Sequence, residues 1–332
     1  MNINEIQQQL FQLIKTRLPA DASMADEIGK ILNISSDSAY RRMRVEKLIS
    51  IEELYLLCTT YRISLDQLMN IQTGTFQFQG NLLNSQTFRF EAYLTGMMHN
   101  LAYFNSFRQK EIYYLCKDTP IFHHFHTKEL AAFKYYFWMT TLIGFPDFRN
   151  RKVSLQYPDE LWPLGQKIIS LYNHVDSYEL WNIESLNATI HQIEYYRDGN
   201  MFESDNDVLL LYEAIERMLG HIEDQARLGY KYQFGDPEKK AAGRYNLFLN
   251  EVVLLDNSIM MVLDNSKISS APHTVINYMM TRDVNFCENS DQYIRNLIKR
   301  STQISEVSEK ERGRFFRILR ERIERRKTAL HV

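Results

Sequence analysis

The chain has 332 residues, of which 45% are hydrophobic and 24% charged. This length suits two domains, and the balance excludes a mainly disordered chain. Its 39 Lys and Arg against 41 Asp and Glu give a formal charge of −2, so any contact with a polyanion has to come from a local patch.

The charge is unevenly laid out. Residues 1–70 carry 8 Lys and Arg against 9 Asp and Glu, residues 71–294 carry 19 against 27, and residues 295–332 carry 12 against 5. No run of about 18 apolar residues is present, and "MNINEIQQQLFQLIK" lacks the unbroken apolar core of a signal peptide. A cytoplasmic protein is therefore expected. Cys58, Cys116 and Cys287 stand alone, without a CxxC pair, and fit reduced thiols.

Five short helices are predicted in the first seventy residues. In "NEIQQQLFQLIKTRL" the apolar positions Ile6, Leu10, Leu13 and Ile14 recur at helical spacing, and Pro19 and Asp21 end the helix. Ser23 caps "MADEIGKIL", with Met24, Ile28, Ile31 and Leu32 on one side. Asn33 follows, a residue that tolerates the left-handed conformation of a tight turn. Ile34 plugs the core, and Ser35 or Ser36 caps a helix over 36–44. "SIEELYLLCTTYRI" opens with the capping pattern Ser50 and Glu53, and "SLDQLMN" closes the set.

On a wheel at about 100° per residue, Ala39 and Met43 mark the buried side of the helix over 36–44. Asp37, Tyr40, Arg41 and Arg44 fall opposite, with Arg42 and Ser38 on the flanks. A short helix with a small apolar back, behind a tight turn and another short helix, matches a helix-turn-helix unit. The competing reading is a generic helical bundle with a solvated basic face. "MADEIGKILNISSDSAYRRMRVEKLISIEELYLLCTTYRISLDQLM" resembles the five-helix DNA-binding domain of lambda-repressor-like (Xre/Cro-type) regulators. The likeness rests on Gly29 before the turn, Ile34 after it, Ala39 beyond it, and the closing "YRISLDQLM". Asn33 and Val45 stand where that family often has Gly, and Met43 follows Ala39 by four positions instead of three.

The resemblance implies a bacterial transcriptional regulator that binds double-stranded DNA as a homodimer. The helix over 36–44 would lie in the major groove, with Ser36, Asp37, Tyr40, Arg41, Arg42, Arg44 and Lys47 as DNA-binding residues. Of these, Asp37, Tyr40, Arg41 and Arg44 face bases and phosphates, and Arg42 and Lys47 the backbone. Equilibrium binding needs no cofactor, metal or catalytic residue, and no enzyme is expected. The alternative is a protein–protein interaction or scaffold module whose helical N-terminal domain docks another protein.

The domains expected are 1–72 for DNA binding, a linker over 73–90 and a remainder over 91–332. In "NIQTGTFQFQGNLLNSQTF" the alternating Phe76 and Phe78 read as a linker or short edge strand. The remainder reads as α+β, many helices with a small, mainly antiparallel sheet of roughly three to five strands. Helices are expected over 86–107, in "TKELAAFKYYFWMTTLIG", "PDELWPLGQKIISLYNHV", "SLNATIHQIEYYRDG", "SDNDVLLLYEAIERMLGHIEDQARLG", "DQYIRNLIKRST" and "SEKERGRFFRILRERIERRK". "EIYYLCK" is a strand candidate. "YNLFLNEVVLLDNSIMMVLD" reads as two strands joined in a hairpin at Asp256, Asn257 and Ser258, and "HTVINYMMTRD" adds another. This domain is the expected seat of dimerisation and of a small-molecule or protein effector, without a membrane contact.

No P-loop, GxGxxG, GxSxG or HExxH pattern is present. "FHHFH" (His123, His124, His126) is the only histidine cluster; read as a strand, it would point adjacent rings to opposite sides, so aromatic packing is favoured over a metal. Glu213, Glu216, Glu223 and Asp224 read as the solvated face of one helix, and Cys116 and Cys287 as buried, inert thiols. The aromatic run over 103–139 fits a core, and also the wall of an apolar pocket. In the basic tail, Phe315, Phe316, Leu319 and Ile323 share a side, ringed by Arg314, Arg317, Arg320 and Arg325. That pattern reads first as a docking or dimerising helix and second as a further DNA contact. Glu321 and Glu324 interrupt the basic face and put membrane-surface binding third.

Overall fold

The computed structural model describes residues 2–15, 18, 23–61, 63–69, 76–80, 86–148, 151–251, 256–264 and 266–330. The chain divides into two compact units, Met1–Phe76 and Gln77–Val332.

The first unit contains α1 (Ile3–Lys15), α2 (Met24–Leu32), α3 (Ser36–Met43), α4 (Ile51–Thr60) and α5 (Leu65–Met69). Leu10, Phe11 and Ile14 of α1 join Ala25, Ile28, Ala39, Leu57, Cys58, Ile63 and Leu68 in one apolar core. Leu13, expected inside, is 38% exposed, and Phe11 takes its place.

The second unit is α+β, helix-rich around a seven-stranded mixed sheet in the order β6-β5-β4-β1-β2-β3-β7. Its centre is parallel: β1 (Lys110–Cys116) pairs with β2 (Asp176–Trp181), which pairs with β3 (Tyr245–Leu249). β4 (Ile259–Leu263) runs antiparallel to β1, followed outward by β5 (Ser266–Pro272) and β6 (Tyr278–Thr281). β7 (Thr302–Gln303) closes the other edge against β3.

The sheet is larger than the three to five strands expected from the sequence; its pairings are mainly antiparallel, as expected, but its centre is parallel. β3 and β4 are not hairpin partners, because β2 and β1 lie between them, about 14 Å of sheet at three strand spacings. Apolar runs such as "YNLFL" and "IMMVL" are what a strand buried on both faces requires, and they carry no mark of which neighbour each strand takes. Residues 252–255 of the expected hairpin lie outside the described residues, as do 73–75 and 81–85 of the linker over 73–90. Gln79 pairs with Met280 on the β6 edge, their N–H groups donating to each other's carbonyls at 2.7 and 2.8 Å.

Strand alternation splits the second core in two. Ile112, Tyr114, Cys116, Trp181, Tyr245 and Leu247 face the larger helical layer. That layer comprises α6 (Phe90–Asn105), α7 (Lys128–Phe137), α8 (Trp162–Asn173), α9 (Asn187–Asp198), α10 (Asp205–Leu228) and α12 (Glu309–Ala329). Tyr113, Leu115, Leu180, Phe248, Met260 and Val262 face α11 (Val284–Lys299) through Cys287 and Ile294. Most of the aromatic run, including Phe104, Phe125, Phe133 and Trp138, is core. No described helix is long and apolar enough to cross a membrane.

Candidate nucleic-acid interface

The junction of α2 and α3 is set by backbone chemistry. Asn33 caps α2 in the left-handed region, φ 52° and ψ 48°, which suits its short polar side chain. The turn is so tight that a Cβ on Gly29 would sit 2.9 Å from the Ile34 carbonyl oxygen. Ile34 N–H donates to the Gly29 carbonyl at 2.9 Å. Ser35 is the cap of α3, its hydroxyl oxygen accepting from Ser38 N–H at 3.2 Å. The neighbouring Ser36 hydroxyl instead donates to Asp26 at 2.5 Å. That bond is the first cause of an Asp26 pKa below the usual carboxylate range.

Ala39 is fully buried and Met43 half-buried, as the wheel requires. Asp37, Tyr40, Arg41, Arg44 and Lys47 are exposed. The Arg44 guanidinium lies 6.0 Å over the Tyr40 ring. Glu46 is 3.8 Å from Arg41 and 3.9 Å from Arg44, distances at which exposed charges attract only weakly. Both arginines are thus available to a stronger anion.

Arg42 does not share that face. The sequence places it on a flank, within reach of a phosphate, but the structure buries it to 5% exposure. Its guanidinium donates to Glu53 at 3.1 and 2.6 Å and to the Ser38 carbonyl at 3.1 Å. Glu53 also accepts from Ser50 N–H at 2.9 Å, completing the capping box of α4. Arg42 stands three residues after Ala39, on the core side, and only a carboxylate placed inside could neutralise it there. Arg42, first among the causes, holds the Glu53 carboxyl below its ordinary range.

Gln7 supplies a second clamp that was not foreseen. From the middle of α1 its amide donates to the Arg42 carbonyl at 2.7 Å and the Lys47 carbonyl at 2.9 Å, and accepts from Ile49 N–H at 3.0 Å. The segment from Arg44 to Ile49 is thereby tied to the bundle. Within it Val45 adopts φ 61°, costly for a β-branched residue. The signal for Gln7 was a polar side chain on the stripe otherwise formed by Leu10 and Ile14.

The second unit holds a buried polar network. "FHHFH" forms a 3-10 helix, Ile121–His126, not a strand, and its three-residue period brings His123 and His126 to one side. Their Nδ1 and Nε2 atoms are 3.2 Å apart, and His123 Nε2 is 3.0 Å from Glu179. The Glu179 carboxylate, fully enclosed, also accepts from Trp181 Nε1–H at 2.8 Å, the Tyr245 hydroxyl at 3.0 Å and the Tyr172 hydroxyl. Burial would raise this carboxyl, but the donors, His123 first, hold it at about 2. Among the described residues no group of three or more His, Cys, Asp or Glu is placed to hold a metal ion.

The basic tail helix is docked within its own unit. Lys327 pairs with Glu216 at 2.9 Å and Arg326 with Glu194 at 2.7 Å. Arg322 reaches Glu184 at 3.2 Å, and Arg320 bonds Glu223. Two of the acidic residues read as a solvated face, Glu216 and Glu223, therefore neutralise α12. The comparisons with family models, curated proteins and solved structures give no match for this chain.

Proposed function

We propose that this chain is a sequence-specific DNA-binding transcriptional regulator. α3 would enter the major groove, and the second unit would serve dimerisation or effector sensing. One observation carries the reading: α3 and its C-cap residue Arg44 present Asp37, Tyr40, Arg41 and Arg44 outward together, while capping, Arg42–Glu53 and Gln7 fix the rest of the helix-turn segment. A rigid helix with Arg and Tyr on its free face suits guanine edges, phosphates and thymine methyl groups. Arg42 is withdrawn from the DNA-binding set, leaving Asp37, Tyr40, Arg41, Arg44 and Lys47 as contacts and Ser36 as a helix-start residue. The first seventy residues are close to neutral, so affinity would come from two copies acting together on adjacent half-sites about 34 Å apart.

Binding of the full chain to duplex DNA, titrated against salt, tests this. Affinity should fall steeply with salt, and Arg41→Ala with Arg44→Ala should weaken it at least about tenfold. A flat salt response, or full affinity in the double variant, sinks the assignment. The second reading, a protein-docking module, draws on exposed apolar residues of α4 and the segment before it, namely Leu48, Ile51 at 88% exposure and Tyr55. A chain that binds no duplex and fails to dimerise through this patch would favour it.

A further inference from the structure

At the carboxyl ends of β1 and β2 the sheet opens into a cleft of about 480 Å³. Its lining holds the Lys117 ammonium, the carboxylates of Asp118, Glu184 and Asp256, and the amides of Asn182, Gln192 and Asn257, with Ala188 at the start of α9, Pro272 at the end of β5 and Val275 from the turn to β6. Crevices outside the carboxyl ends of parallel strands are where such sheets admit ligands, because the connections diverge there. Here β1 leads to β2 on one side while β4 arrives antiparallel on the other.

Three amides facing this cleft are turned the same way. Glu184 N–H donates to Asn182 Oδ1 at 2.8 Å, Asp118 N–H donates to Asn257 Oδ1 at 3.0 Å, and the Lys134 ammonium donates to Gln192 Oε1 at 2.8 Å. Each partner can only donate, so each amide must turn its oxygen inward and its NH2 outward. None of the three NH2 groups has a partner among the described residues. Asn182 is only 3% exposed, and leaving a buried amide NH2 unpaired is costly. Asn182 lines the cleft, so the cleft is what its NH2 group faces.

The carboxylates of the lining each accept hydrogen bonds from protein groups. Asp118 accepts from Thr119 N–H at 2.8 Å and lies 3.8 Å from Lys134. Glu184 holds Arg322 and Asn187, and Asp256 accepts from Asn257 N–H at 2.8 Å. Lys117 is exposed, with no ion pair among the described residues. α9 begins without a side-chain cap, so its positive end adds to the donors.

We propose that this cleft binds a small molecule bearing an oxyanion, a phosphate or carboxylate on a small organic body. The amide groups of Asn182, Gln192 and Asn257 and the Lys117 ammonium take the oxyanion, and Ala188, Pro272 and Val275 take the body. The inference is independent of the DNA-binding reading, since it concerns ligand binding alone.

The test is a titration of the full chain with inorganic phosphate, and separately with acetate, at constant ionic strength. Binding is read from the side-chain NH2 resonances of the three amides. Saturable shifts are expected; tighter phosphate binding identifies a phosphorylated ligand, and tighter acetate binding a carboxylate. Gln192→Glu and Asn257→Asp keep the inward oxygen and replace the free donor by a carboxylate, and Lys117→Ala removes a surface cation. Each should weaken binding about tenfold or more. The proposal is overturned if neither anion gives a saturable shift, or if these variants bind as the parent does.

Discussion

Arg42→Ala separates a residue that holds α3 from the residues that face outward on it. The substitution removes a guanidinium that is 5% exposed and makes three hydrogen bonds, two to Glu53 and one to the Ser38 carbonyl. Removing one partner of a fully buried pair costs about 3–5 kcal/mol. Glu53 is 18% exposed and keeps its bond from Ser50 N–H, so water recovers part of the loss and about 2–3 kcal/mol is expected. Hydrogen exchange resolved along the chain reads this in the intact protein: amides of 36–60 should exchange roughly 30- to 150-fold faster. The pH dependence adds a second check. The folded Glu53 pKa is depressed, with Arg42 as the first cause. Its contribution is therefore complete above the unfolded value, about 4.3, and is lost as pH falls through the folded value. Parent and variant should converge in acid. Arg41→Ala, in contrast, should change exchange by less than about 0.5 kcal/mol. Unchanged protection in Arg42→Ala, or a gap that persists in acid, would refute the structural role given to this pair.

Val45→Gly should stabilise the first unit by about 0.5–1 kcal/mol, since relief of a positive φ worth about 1–2 kcal/mol exceeds the added chain entropy; slower exchange over 36–60 is the expected result, and faster exchange contradicts it. Lys231 is fully enclosed, its ammonium donating to the Tyr172 carbonyl at 2.7 Å and lying 3.8 Å from the Tyr172 ring, and burial lowers its pKa to about 7. A folded value below the unfolded one, about 10.4, means that protonation opposes folding below pH about 7 and ceases to matter above about 10. Lys231→Met should thus gain most over the parent at neutral and acid pH. Unfolding followed by Trp138, Trp162 and Trp181 should show the advantage shrinking as pH rises through that window, whereas a pH-independent difference would be inconsistent.

What the sequence revealed about this chain follows from how local each feature is. The α2–α3 turn, the Ser50–Glu53 cap and the exit of α10 at Gly229 rest on neighbouring residues, and each stands where its pattern places it. The partners of β3 and β4 do not, because two apolar strands close in sequence look alike whether they pair with each other or with strands more than sixty residues away. Arg42 makes the same point within one helix. Its position on the wheel lies only about 60° from Ala39, and what decides its direction is Glu53, on another helix. The cleft amides are the extreme case. Asn182, Gln192 and Asn257 follow no shared spacing, and each becomes a directed donor only because a backbone N–H or a lysine, brought there by the sheet and its helices, claims its oxygen. Sequence periodicity therefore reports which faces are buried, while the direction of a buried polar group depends on partners that only the fold supplies.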